Sequence, residues 1–317
     1  MSMLKDYKKI AIIGSTGKVA EAVIRLFRTD ETKTLHLYSG SIENTNKFIS
    51  GLRHVKIDYN DVNQIERYLR MLKPDVIINL SAMTDVDGCE SNPTLAWHLN
   101  AYIPSRLAKI AKQLNSKLIH ISTDYVFDGE DGPYTEYSLC NPISKYGYTK
   151  FIGDSFVLAD AEPNSLIVRT NVVYGYSEQG KSDFVQWVIS KAKEGKPFNI
   201  VDDQYSNPTL TDDLAFAIDV LIRINYRGII NVGGWNYCSR IDFAKDICNV
   251  FDLDSSLVKP ITTESLNQPA KRPLKGGLNI DKLKYEIGVM TKSTVNGLKI
   301  LKGYMDEKDR VGVNNKQ

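Results

Sequence analysis

The sequence has little with which to cross-link itself or to hold a metal. Its 317 residues include four cysteines and four histidines. Cys89, Cys140, Cys238 and Cys248 form no C-x-x-C pair, and His36, His54, His98 and His120 form no H-x-x-x-H pair. That spacing argues against a structural zinc and for reduced thiols in a cytosolic compartment. There is no apolar run of membrane-span or signal-peptide type, and the opening MSMLKDYKK is polar. Neither sign of charge prevails, with 40 Lys and Arg against 38 Asp and Glu for a net +2. A nucleic-acid or membrane-surface partner calls for a basic excess that is missing here. No internal repeat and no low-complexity linker interrupts the chain. The expectation is a soluble cytoplasmic protein whose partner is a small molecule.

What is present is alternation. Lys8 to Ile13 reads as a buried strand, followed by a helix with Val19, Val23, Leu26 and Phe27 on one face. Leu35–Ser39 is a second strand. Ile65, Leu69 and Leu72 mark a helix that Pro74 ends. Val76–Ser81, Leu118–Thr123 and Leu166–Thr170 are further apolar strands, separated by helices over Leu95–Leu114 and Tyr146–Leu158. This order predicts an α/β fold of Rossmann type, a doubly wound parallel sheet with ligands beyond the carboxyl ends of its strands. After residue 173 the alternation loosens. Phe184–Glu194 is helical, Thr211 caps a helix running to Ile224 with Asp212 and Asp213 favourable to its dipole, and Ile229–Val232 is a strand. Ser239 and Asp242 open another helix. The division expected is a cofactor domain over residues 1–173, with 209–233 returning to it. A substrate-binding region follows over 174–208 and 234–306, then a frayed tail over 307–317.

The first strand ends in G-S-T-G-K-V-A. Gly14 supplies a tight turn, Gly17 a close approach of backbone, and Ala20 a small residue where helix meets strand. The amides from Ser15 and Thr16 to Lys18 and Val19 open a helix that favours a diphosphate. At the end of the second strand no acid stands to bond a ribose 2′-hydroxyl. Tyr38, Ser39 and Gly40 occupy that place, and Ser39 suits a 2′-phosphate, so NADP is favoured over NAD. Asp58, followed by Tyr59, is a candidate for the adenine amine or else a turn aspartate.

Tyr146 and Lys150, in K-Y-G-Y-T-K, stand four residues apart on one helix face. Ketone reduction needs a proton on oxygen as well as a hydride on carbon. A tyrosine with a pKa of ~10 gives up its proton reluctantly, and a nearby ammonium is expected to lower that value. Thr123, with Ser122, ends a buried strand, where a hydroxyl can polarise a carbonyl.

Together GSTGKVA, SAMTDVDGCESNP, ISTDYVFDG, KYGYTK, RTNVVYG, DDQYSNPT and KRPLKGGLNIDKL make the chain resemble the dTDP-4-dehydrorhamnose reductase family of extended short-chain dehydrogenases. The resemblance implies a 4-keto reductase of nucleotide-linked deoxysugars, with Thr123, Tyr146 and Lys150 catalytic. It implies that Leu80, Ser81, Ala82 and Thr84 run beside the cofactor with Asn100 behind them. It places Thr84, Val86, Asp124, Tyr125, Asn171 and Val172 near the sugar. Val172 stands where the family has tryptophan, and Gly276 where it has serine. Some members use magnesium at a dimer interface; Glu21 is the candidate weighed for it against an exposed helix glutamate. Monomer and homodimer both stay open. So do two alternatives, an epimerase that recycles NAD and a non-catalytic NADP-binding protein like the regulatory subunit of methionine adenosyltransferase.

Overall fold

Short apolar runs set the framework. The structure, a computed structural model, describes residues 7–41, 49–178 and 182–314. Strands β1 (Lys9–Ile13), β2 (Thr34–Ser39), β3 (Arg53–Lys56), β4 (Val76–Asn79), β5 (Lys117–Thr123) and β6 (Ser165–Thr170) are joined by a last strand, Gly228–Asn231. All pair in parallel, in the order β3-β2-β1-β4-β5-β6 with Gly228–Asn231 outermost beside β6. Successive side chains of a strand point to opposite faces. Accordingly Ile10 and Ile12 of β1 join one core cluster, with Val23, Phe27, Leu214, Ile218 and Leu221. Ala11 and Ile13 join a second, with Ile65, Leu69, Leu107 and Val157. Burying each such Ile or Leu contributes about 1.5–3 kcal/mol.

Helix α1 (Lys18–Phe27) and the Thr211–Arg223 helix therefore cover one face. Helices α2 (Val62–Leu72), α5 (Ile103–Leu114) and α6 (Lys145–Ala161) cover the other. Short helices α3 (Val86–Ser91) and α4 (Pro93–Trp97) lie between β4 and α5. Strand order reverses between β1 and β4, which opens a crevice above their carboxyl ends. A third cluster has its own members, among them Tyr174, Val188, Phe198, Ile200, Phe243, Ile247, Leu298 and Leu301.

Several expectations are corrected. Leu95–Leu114 is not one α-helix: a π-helical turn, His98–Tyr102, separates α4 from α5. Pro104 brings no N–H to the helical ladder there, which fits a local change of hydrogen-bond spacing. Thr211 is the first helical residue, not the cap; Leu210 holds the cap position, and the Thr211 hydroxyl turns to Asp212 at 3.3 Å. Parallel pairing of Phe198–Val201 with Val258–Ile261 was not foreseen. The last helix runs Thr294–Asn314, and 315–317 lie outside the described residues. Among the described residues no helix is long and apolar enough to cross a membrane.

Asn207 ties distant segments of the chain together. Its amide donates to Gly234 O at 3.2 Å and Leu278 O at 3.0 Å, and its carbonyl accepts from Asn171 at 2.8 Å and Leu278 N at 2.9 Å. The side chain is buried, so removing it strands several polar groups out of reach of water. Asn207→Ala is expected to cost about 2–4 kcal/mol of stability, read as a lowered urea midpoint with an unchanged slope.

Candidate active site

The turn after β1 is built by one backbone constraint. Gly14 has φ +81°, and a Cβ placed there would lie 2.6 Å from Ser81 N and 2.8 Å from Leu80 C. Only glycine lets the turn close against the end of β4. Gly14 N and Ser15 N both donate to Tyr38 O, at 2.8 and 3.1 Å, which fixes Thr16 and Gly17 at the mouth of α1. Gly17 is the N-cap of α1, and no side chain caps it. Its first amides are therefore available to an anion. Ala20 is fully buried where helix meets sheet. Lys18 ion-pairs with Asp183 and bonds Gln186 at 3.1 Å, which brings the 183–186 segment over the turn.

Around this turn the expected cofactor residues take different parts. Ser39 is buried, and its hydroxyl donates to Ser41 O at 2.6 Å and meets His54 Nε2 at 2.7 Å. Ser15 meets the same nitrogen at 3.2 Å. Asp58 is exposed and accepts from Asn60 N at 2.9 Å, the arrangement of a turn aspartate. Tyr59 is half-buried close to Gly40, and burial pushes its hydroxyl up to about 12. Asn100 does not reach the cavity. It is fully buried, with Oδ1 accepting from Met83 N at 2.8 Å and Nδ2 donating to Met83 O at 3.1 Å and Thr149 at 3.2 Å. Its work is to pin the loop carrying Ser81, Ala82 and Thr84. Glu21 is buried as well, not exposed, and accepts from Ser177 at 2.7 Å and from Glu178 N at 2.5 Å.

A cavity of about 400 Å³ lies above the crevice. Val19, Leu80, Ser81, Ala82 and Thr84 line it beside the glycine turn; Ser122, Thr123, Tyr146 and Lys150 form its floor; Val86, Asp124, Tyr125, Asn171 and Val172 complete the lining. Helix α6 can approach because Gly147 has no side chain: a Cβ there would stand 2.1 Å from Tyr125 O. Tyr146 lines the cavity with Thr123, and burial pushes its hydroxyl well above the ordinary value. This corrects the expectation of a depressed tyrosine. Lys150 is turned from it, donating to Ile121 O at 2.6 Å and lying 3.2 Å from His120 Nε2. Burial holds the Lys150 amine down at about 8, against the raising influence of Asp154. On the far side Asp124 is committed to the framework, accepting from Gly277 N at 3.0 Å and from Asn171 at 3.1 Å, while burial raises its carboxyl.

Four residues here escaped the sequence reading: Thr170, Phe184, Trp187 and Arg240. The Thr170 hydroxyl lines the cavity, buried and without a hydrogen-bond partner. Arg240 lies over the Phe184 ring at 4.6 Å and borders a second cavity of about 450 Å³, lined also by Trp187, Asn199, Gln204, Gln268 and Arg272. Val86, Tyr125, Phe184 and Arg240 line both spaces. The available signal was a cation at the first position of a helix, where the dipole disfavours it.

Residues 8–302 match the family described as RmlD substrate binding domain. The chain belongs to the dTDP-4-dehydrorhamnose reductase family. It is 36% identical over 292 residues to a dTDP-4-dehydrorhamnose reductase of Sinorhizobium fredii, covering 89% of this chain and 92% of that one. It is 32% identical over 281 residues to a probable low-salt glycan biosynthesis reductase of Haloferax volcanii, covering 87% and 91%. Among solved structures, a Bacillus anthracis dTDP-4-dehydrorhamnose reductase in complex with NADP superposes with a TM-score of 0.82 at 26% identity, covering 93% of this chain and 99% of that one.

Two residues near the cavity have unusual backbone settings, Val172 and Gly276. Val172 has φ +37°, a region that costs a β-branched residue about 1–3 kcal/mol. The flanking Val173–Tyr174 pairing with Thr209–Leu210 holds it there. At Gly276 a Cβ would come within 3.1 Å of Asp124 Oδ2, so the glycine leaves that carboxylate free to bond Gly277 N.

The residues fit a dinucleotide: a glycine turn closed on backbone, an uncapped helix start and a cavity floor of hydroxyls and amine. Gly14→Ala is expected to weaken NADPH binding by at least about tenfold, since the turn must shift to admit the methyl. Titration of NADPH fluorescence on the folded variant measures it.

Proposed function

We propose that the protein reduces the 4-keto group of a nucleotide-linked deoxysugar, using NADPH in preference to NADH. The observation that carries this reading is the convergence of Thr123, Tyr146 and Lys150 on one cavity floor, beside the glycine turn and open to the Arg240 space. When bound, the nicotinamide supplies the hydride. Tyr146 gives its proton to the carbonyl oxygen while Thr123 donates a hydrogen bond to the same atom. Burial keeps Tyr146 fully protonated at neutral pH, so it serves as an acid and not as a standing tyrosinate. The Lys150 ammonium stabilises the tyrosinate left behind and bonds the nicotinamide ribose.

Arg240 is the cation for the substrate's diphosphate. Arg272 borders the same space but is spent on Asp87, with Nη1–Oδ1 at 2.7 Å and Nη2–Oδ2 at 2.6 Å. Among the described residues Arg240 makes no ion pair, and Phe184 and Trp187 beside it offer faces for a base. Residues 174–208 and 234–306 supply this substrate side, and 1–173 with 209–233 supply the cofactor side. Reduction is favoured over the epimerase and regulatory-subunit alternatives because the relatives are reductases by name. The setting is cytoplasmic, and the unit is a monomer or a homodimer.

A panel of dTDP-, UDP- and GDP-linked 4-keto sugars, followed by loss of NADPH absorbance, tests the reading. Tyr146→Phe should lower kcat by about 100- to 10,000-fold and leave NADPH affinity within about twofold. Arg240→Ala should raise KM for the sugar nucleotide by about tenfold or more, with a smaller effect on kcat. If no member of the panel is turned over, the reading is wrong.

A further inference from the structure

Beneath the cavity floor lies a buried polar cluster that the reaction as described does not use. Lys150 leans into it, and its members come from the elements around that side chain: Asn79 of β4, His120 and Ser122 of β5, Asp154 of α6, and Arg169 of β6 with Cys140 behind it, while Tyr146 of α6 lines the cavity above. His120 is fully buried, Asp154 and Lys150 are 2% exposed, and Arg169 is 3% exposed.

Hydrogen bonds settle the histidine's tautomer. Ser81 N and Ser81 Oγ both donate to Asn79 Oδ1, at 3.2 and 2.6 Å. The other end of that amide, Asn79 Nδ2, is therefore the donor to His120 Nδ1 at 3.0 Å. A neutral His120 must then carry its proton on Nε2, and burial keeps it neutral. Nε2 faces two groups, Lys150 Nζ at 3.2 Å and Asp154 Oδ1 at 3.6 Å. An N–H cannot bond an ammonium, which has no lone pair, but it can donate to a neutral amine. Asp154 Oδ1 takes no hydrogen bond in this arrangement, whereas Oδ2 accepts from Ser122 at 2.7 Å and faces Arg169 Nε at 3.8 Å.

We propose that His120 and Asp154 are positioning residues that couple the charge of Lys150 to its place. The neutral amine is withdrawn onto the His120 N–H, and the ammonium stands forward in the cavity with Asp154 as its buried countercharge. Forward movement frees His120 Nε2–H for the unpartnered Asp154 oxygen. Cofactor binding, which uses the forward ammonium, thus draws a proton from solvent onto Lys150 Nζ whenever the free enzyme holds it as an amine. The inference rests on the role given to Lys150 above.

The signs are opposite for the two residues. Removing the His120 donor destabilises the amine, so Lys150 stays charged to higher pH. Removing the Asp154 charge destabilises the ammonium, so Lys150 loses its proton at lower pH. From a wild-type midpoint at about 8 in the free enzyme, the alkaline limb of the kcat/KM profile for NADPH should move up in His120→Phe and down in Asp154→Asn, each by about one pH unit. Asp154→Glu should restore the wild-type limb. A structural role alone would lower rates at all pH values and shift neither limb. Wild-type protein supplies a test that needs no variant. Calorimetry of NADPH binding at pH 8.5, in buffers of differing ionisation enthalpy, should show net proton uptake. Histidine nitrogen NMR should show His120 as the Nε2–H tautomer from pH 6 to 9. No proton uptake, limbs that shift together, or an Nδ1–H tautomer would overturn the inference. Lys150→Met separates the two levels: if it is inactive while those results fail, only the coupling falls. If it turns over like wild type, the role of Lys150 falls and the coupling with it.

Discussion

A carboxylate buried beneath the active site, Asp154, fixes the register on which the chemistry depends. A carboxylate is costly to bury without partners; burial raises this one, and it gathers Ser122 from β5 and Arg169 from β6 against α6. Tyr146, Lys150 and Asp154 stand at i, i+4 and i+8, so one helical stripe carries the acid, the amine and the anchor. Where Asp154 docks, Tyr146 must meet Thr123. The helix is unusual in turning polar residues inward, and it does so because β5 and β6 present matching donors at that level.

A second polar network joins the far part of the chain to the same floor. Asp124, next to Thr123, bonds Gly277 N and Asn171; Asn171 bonds Asn207; Asn207 bonds Leu278 and Gly234. These bonds bring the segments near 207, 234 and 277 against Asp124, alongside apolar packing of Leu283 and Val289 on the sheet's core. They also explain how Val172 is kept at positive φ: its neighbours on both sides are held, by Asn171's amide and by the Val173–Tyr174 pairing.

Legibility in the sequence tracked the range of the cause. β1, β5 and β6 were readable because a continuous apolar run bounded by turn residues admits few alternatives. The paired strands at Phe198–Val201 and Val258–Ile261 were not, because four residues paired with a stretch some sixty positions away carry no local period. Asn100 and Glu21 were legible as polar residues in helices, but not as buried ones. Burial depends on what the chain brings against them, here Met83 and Thr149 in one case and residues 177–178 in the other.

By itself the sequence determined the parallel α/β plan, the glycine turn, and the pairing of Tyr146 with Lys150, since each rests on spacing within a few residues. Tertiary structure alone decided the state of that pair. Spacing suggested a lysine lowering its tyrosine. Folding instead turns Lys150 toward Ile121 O and His120, leaves Tyr146 half-buried with its hydroxyl raised, and brings Arg240 from a distant helix to the cavity edge. Periodicity says which face a side chain is on. What solvates or neutralises it there is set by residues remote in sequence, and that decides its charge.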